Sequence, residues 1–439
     1  MTGNSDLIPH TIDRRELLKV AGVGIAVSAL PFAPALAQEP VNLILWSWLP
    51  DFQKQVDLFE AAHPNIKVQL VNAGQGNPHY TKLRAALQAG SGLPDVAHME
   101  FQLIRSFGQI NALADLGPAG ADAVRDKFAA WTLDQASAGG KLLGMPWDSG
   151  PIAMLYRQDL FDQHKIEVPA TWDQFAEQAI KLHEAAPETF LTDATFSDGG
   201  WTTSLLWQAG WRPFEVDGAN ISIAVNNEVA KKFADYWQKL IDAKAIEAKP
   251  GFVTEWYTGL DQGRYATWLT AGWGPVFLTG FAKSSAGKWR AAASPQWEAG
   301  KKVSANWGGS TLAALAASQH PKEAAELAIW LTTDKEATTL YTTQQFLFPV
   351  LSDLLNSPAF ADQPFEFYGG QPVNQVFVES ADNVDPTFQW SPFQDYVNQT
   401  MGDELGAAAN GKGTLAEAFD RLQDQFVQYA TDQGFTVKS

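Results

Sequence analysis

Strand and helix signals that alternate from residue 41 onward, in a chain too long for one ordinary hydrophobic core, predict an α/β protein of two domains. The chain has 439 residues, 46% of them hydrophobic and 18% charged, which places it among ordered folded proteins. Residues 41–46 (VNLILW) are apolar and β-prone; residues 51–62 carry Phe52, Val56 and Phe59 at helical spacing; Pro64 stops that helix. IKVQLV is the next strand, YTKLRAALQAG the next helix and PDVAHM a third strand. This βαβαβ order implies a parallel sheet covered by helices. Further along, Thr171 with Gln174 and Thr414 with Glu417 have the spacing of capping boxes, in which a threonine side chain and a Glu or Gln three residues on satisfy each other's backbone N–H. Trp237 lies on the apolar stripe Val229, Phe233, Leu240 and Ile241, and Trp330 lies on the helix after Pro321, so both read as core.

The first 37 residues have the form of a cleaved export signal: Arg14, Arg15 and Lys19, then a short glycine-interrupted apolar run, then Ala35-Leu36-Ala37 as a small-x-small site. DRRELLK resembles the twin-arginine motif, with Leu17 where that motif usually has phenylalanine. The mature chain is expected in the periplasm, without stable membrane insertion. There are no cysteines, which excludes disulfides, thiolate metal sites and a cysteine nucleophile. The net charge is −18, and a surface of that sign repels nucleic acid and anionic membranes.

Motifs for most chemistries are missing. His63, His79, His98, His164, His183 and His320 are scattered without metal-ligand spacing, and no G-x-S-x-G, Walker loop or G-x-G-x-x-G occurs. No cofactor or metal is expected. The 17 tryptophans are the outstanding feature. An indole face matches the C–H face of a pyranose while carboxylates accept from its hydroxyls. At ~25 cal/mol per Å² over ~80 Å², each platform contributes roughly 2 kcal/mol. An exported glycoside hydrolase with a carboxylate pair, such as Asp148 and Glu100, fits the same composition.

Seven blocks in order narrow the choice: LILWSWLPDFQKQVDLFEAAHP, KLRAALQAGSGLPDV, GKLLGMPWDSGPIAMLYRQDLF, VPATWDQF, DQGRYATWLTAGWGP, WGGSTLAALAASQHPKEAAELAIWLT and GKGTLAEAF. Together they resemble the extracellular solute-binding proteins of ABC importers, in the carbohydrate-binding branch that includes maltose-binding protein. The resemblance implies a two-lobed periplasmic-binding-protein fold of type II, each lobe a sheet flanked by helices, with three crossings near residues 150–153, 266–271 and 309–312. It implies one lobe from 41–150 plus 270–309 and a second from 151–268 plus 310–439, closing by a hinge on a mono- or oligosaccharide. The implied partners are that carbohydrate and the transmembrane subunits of a permease, the implied state is a monomer, and no catalysis is implied.

Carried over by position, the resemblance puts Trp273 (AGWGP) at a sugar-stacking position, with Trp201 (DGGWTT) near a second and Trp390 (FQWSPF) near another. Trp48 falls where the first cleft residues lie. Glu100 follows the third strand, with Met99 where a tryptophan is usual. Asp148 in PWDSGP is expected to accept from hydroxyls at the cleft edge, whereas its neighbour Trp147 is as compatible with lobe packing as with ligand contact. Trp307 is expected at the ligand, and Gly308 and Gly309 permit close backbone approach there. Trp46, Trp131, Trp172, Trp268, Trp289 and Trp297 are expected to be structural.

Overall fold

The computed structural model describes residues 39–343 and 347–438; the expected export signal lies outside them. Eight strands build two central sheets: β1 (Val41–Trp46), β2 (Ile66–Val71), β3 (Val96–Glu100), β4 (Met145–Asp148), β5 (Ile152–Arg157), β6 (Thr267–Ala271), β7 (Trp289–Ala293) and β8 (Ser310–Ala314). The first sheet runs β2-β1-β3-β8-β4, parallel among β1, β2 and β3 and antiparallel where β8 inserts between β3 and β4. The second runs β6-β5-β7, antiparallel throughout.

Alternation along each strand feeds both faces of its sheet. In the first, Leu43, Leu45, Val96 and Leu312 pack under helices Gln53–Ala62 and Pro321–Thr333, while Ala97, Met99 and Ala313 face Leu83, Ile104 and Phe107. In the second, Ile152, Met154 and Tyr156 join the largest core, built on helices Trp172–Ala185, Glu228–Asp242 and Leu415–Asp432. Ala153 and Leu155 face the opposite side, with Trp268 and Trp289. Both capping boxes form: Thr171 accepts from the Gln174 amide and Thr414 from the Glu417 amide, each at 3.2 Å, and both partners reach back.

Strand pairing departs from the expected allotment of segments. β7 lies within 270–309 yet pairs with β5 in the second sheet, and β8 begins the segment 310–439 yet pairs with β3 and β4 in the first. Within the expected crossing at 266–271, Thr267–Ala271 is instead a strand of the second sheet. Both misplaced strands are short and alanine-rich, WRAAA and STLAA, and their composition does not say which sheet they join. The chain passes between sheets at 149–151, at 305–309, and after helix Lys335–Thr343; helix Val373–Asp382 is again packed on β5 and β7.

Candidate functional site

The first two crossings are zipped together. The Gly150 N–H donates to the Asn306 side chain at 2.7 Å, and the Trp307 N–H donates to the Gly150 carbonyl at 2.8 Å. A Cβ on Gly150 would lie 1.9 Å from the Trp307 carbonyl oxygen, so only glycine fits. Gly309 has φ +80° and a Cβ there would meet Asp148 O and Ser149 Cα at 2.9 Å, which requires glycine twice over. Trp273 Nε1 donates to the Trp307 carbonyl at 2.9 Å, and the two indoles meet edge to face at 4.7 Å. Phe277 adjoins Trp273 at 5.5 Å, and Phe252 lies 6.0 Å from Trp273 and 5.9 Å from Trp307. Phe252 is held at φ +60°, a costly conformation for a bulky residue, and remains exposed.

The carboxyl ends of β1, β3 and β4 lie along one edge of the first sheet, where α/β sheets ordinarily receive ligands, and Gly309 abuts that edge at Asp148 and Phe101. Trp48 stacks on the His98 ring at 4.4 Å and meets His79 edge-on at 5.1 Å. Tyr80 fastens the end of β3: its hydroxyl accepts from the Glu100 N–H at 2.8 Å and donates to Glu100 Oε2 at 3.0 Å. Asp148 at the end of β4 accepts from the Ser310 hydroxyl. From the second lobe comes Asp198, which caps helix Gly199–Gln208 by accepting from the Gly200 and Trp201 amides at 2.8 and 3.0 Å. Burial pushes Glu100 up to about 7, aided by the like charges of Asp148 and Asp198 and opposed by the Tyr80 hydrogen bond. Burial likewise pushes Asp148 up to about 6 against the Ser310 hydrogen bond, and raises Asp198 against its two amide donors. Three carboxylates from both lobes therefore share one low-dielectric region. Helices Asn77–Ala89 and Phe101–Gln109 reach across: Arg84 pairs with Asp395 at 3.1 Å and Arg105 donates to Gln389 at 3.3 Å.

Residues 46–338 match the family model described as bacterial extracellular solute-binding protein. The chain belongs to this family. A lactose-binding protein from Rhizobium radiobacter is 25% identical over 436 residues, covering 94% of this chain and 99% of that one. An arabinooligosaccharide-binding protein from Halalkalibacterium halodurans is 24% identical, covering 78% and 79%. Among solved structures, the ABC transporter-associated binding protein of B. animalis subsp. lactis Bl-04 with β-1,6-galactobiose superimposes with TM-score 0.79 at 29% identity, over 91% of this chain and all of that one. The galacto-N-biose/lacto-N-biose I-binding protein of Bifidobacterium longum shares the fold, with TM-score 0.80 at 24% identity over 91% of this chain and all of that one. The type II two-lobed architecture and a binding rather than catalytic role follow, and the comparisons lend nothing to a glycoside hydrolase.

For a solute-binding protein of this family, the expected contact residues separate into two sets. Trp48, Glu100, Asp148, Trp273, Trp307, Gly308 and Gly309 come together at the crossings and the adjoining strand ends. Trp201 and Trp390 do not present a face there. Trp201 is buried, edge-on to Phe196 at 5.6 Å, and donates to the Leu269 carbonyl; its helix needs that ring as core, and it is the helix start, Asp198 to Gly200, that approaches Trp307. Trp390 is buried edge-on to Phe388 at 4.9 Å and Trp207 at 5.8 Å. Trp147 packs on Phe52 and Tyr341, both at 4.9 Å, which makes it core. Asp198 is legible in the sequence only as an N-cap, an aspartate before Gly-Gly at a helix start. His98, Ser310 and Tyr80 carry no such signal. Among the described residues no His/Asp/Glu group could hold a metal ion.

Proposed function

We propose that this solute-binding protein captures an oligosaccharide between its lobes and delivers it to the transmembrane subunits of an ABC importer, acting as a monomer in the periplasm. One lobe comprises about 41–149 with 308–343, the other 152–305 with 352–438, the division that strand pairing favours. The observation that carries the reading is the opposition of acceptors and rings. Glu100, Asp148 and Asp198 gather in one region, with Trp48 joined to it through His98 and Ser310, and Trp307, carrying Trp273, beside the Asp198 helix start. Ionised, these carboxyls accept from hydroxyls, and Glu100, pushed up to about 7, can also donate when protonated; both suit hydroxyl-rich ligands, and the indoles offer apolar faces to pyranose C–H groups. Sugar-binding relatives that align over nearly the whole chain support the same ligand class.

Closure excludes water from the shared carboxylates, so each hydroxyl supplied by the ligand replaces a lost hydration contact. Among the described residues no helix is long and apolar enough to cross a membrane. The test is a thermal-shift and tryptophan-fluorescence screen of lactose, β-1,6-galactobiose, lacto-N-biose, arabino-oligosaccharides and maltose. A ligand at ~100 times its Kd should stabilise the fold by about 2.7 kcal/mol. Failure of every sugar at millimolar concentration to move either signal would overturn the proposal.

A further inference from the structure

His98 is buried at the centre of β3, and each of its ring nitrogens has a hydroxyl partner: Ser47 Oγ lies 3.0 Å from Nδ1 and Ser310 Oγ 2.6 Å from Nε2. Proton positions along this chain follow from its ends. An ionised Asp148 only accepts, so Ser310 spends its proton on Asp148 and must accept from His98, which places the imidazole proton on Nε2. Nδ1 is then an acceptor, and the Ser47 hydroxyl donates to it while accepting from the Leu49 N–H at 3.2 Å. Every proton in the run Leu49, Ser47, His98, Ser310, Asp148 has one direction. The ring stays neutral because burial lowers its pKa to about 3, with His79 adding to that effect. Trp48 stacks on the face of the same ring, while Trp147 and Phe52 border it at 6.0 and 6.3 Å.

We infer that His98 is the positioning residue of the cleft: as the neutral Nε2–H tautomer it aims the Asp148 carboxylate through Ser310 and supports the Trp48 platform on its ring face. One buried imidazole thus sets both an acceptor on β4 and a ring surface just beyond β1, without touching the ligand. The inference deepens the sugar-binding reading and rests on it for the ligand, but the proton arrangement is testable without any sugar.

Imidazole 15N–1H correlation spectra of the full-length mature protein, with His98 assigned by its loss in His98→Gln, should show one protonated Nε2 and one bare Nδ1, unchanged between about pH 7 and 8, where Asp148, pushed up to about 6, is ionised. The Nδ1–H tautomer, or titration within that range, overturns the relay. In Ser310→Ala the Asp148 carboxyl, followed by 13C, should titrate at least one pH unit higher than in the wild type; an unchanged midpoint also overturns it. For β-1,6-galactobiose or lactose, whichever binds, His98→Phe keeps a ring under Trp48 yet should weaken binding tenfold or more. His98→Gln, whose amide can still donate to Ser310, should stay within threefold. The double variant His98→Phe/Ser310→Ala should bind no worse than the weaker single one, since both cut the same chain. Equal losses in His98→Phe and His98→Gln, or additive losses in the double variant, would reduce His98 to packing. If His98→Phe does not fold, Ser310→Ala and His98→Gln still decide. If no sugar binds the wild type, the sugar-binding reading fails, and the spectra still judge the relay.

Discussion

The wall formed by the ends of β3 and β4 presents two carboxyls held by hydrogen bonds, one of them linked through Ser310 to a buried imidazole, whereas the wall at the second crossing presents indole and phenyl rings. On the first, Glu100 is tied by Tyr80 and Asp148 by Ser310, so directions are set before a ligand arrives. On the second, the Trp273 N–H is spent on the Trp307 carbonyl, which leaves the ring faces as its contribution. The difference separates orientation from area. Hydrogen-bonded carboxylates select which hydroxyls can sit where, while ring surface adds affinity with little angular demand.

The largest expected effect tests whether buried and site tryptophans are distinct. Trp201→Ala should cost about 3 to 5 kcal/mol of stability, read by denaturant unfolding, because it opens a cavity beside Phe196 and Trp237. Trp273→Ala should instead weaken sugar binding by roughly 2 kcal/mol, read by titration calorimetry, with a smaller loss of stability. Should the two variants trade these signatures, the assignment of the aromatic wall fails.

The acidic wall makes itself felt through pH. Glu100 and Asp148 lie above their ordinary values, so the folded protein holds protons that the unfolded chain has released. The penalty is absent below about pH 4, grows as pH rises, and is complete above the folded value of about 7 for Glu100. Each tenfold difference in proton affinity is worth about 1.4 kcal/mol. Glu100→Gln should therefore gain stability over the wild type between about pH 5 and 8, most at the upper end. A difference that is flat with pH would show that Glu100 is solvated. The smallest effect belongs to the rim, where Arg84 and Asp395 are both about one-third exposed. Arg84→Gln should change sugar affinity by less than about 1 kcal/mol, and less still in high salt.

Much of the frame was legible because it rests on local chemistry. The βαβαβ start, the Thr171 and Thr414 caps and the core roles of Trp237 and Trp172 follow from period and spacing. The return of β8 to the first sheet was not, since strand membership depends on pairing across more than two hundred residues of chain. The site divided in the same way. Trp48, Glu100 and Asp148 sit at strand ends that the sequence marks, and Gly309 at a turn that only glycine makes. Trp201 and Trp390 turn into the core, and residue type says nothing of which way a ring turns on a helix or a loop. The His98 relay was invisible, since Ser47, His98, Ser310 and Asp148 meet only after β3, β4 and β8 align beside the end of β1.

At the zipped crossings, Trp307 is both a ring of the aromatic wall and, through its N–H to Gly150 and its carbonyl to Trp273, a link in the connection between lobes. Ligand preference and the ease of opening are consequently inherited together. A lineage that reshapes this end of the site for a new solute alters its release rate in the same step, and must offset that change elsewhere to keep delivery in pace with uptake.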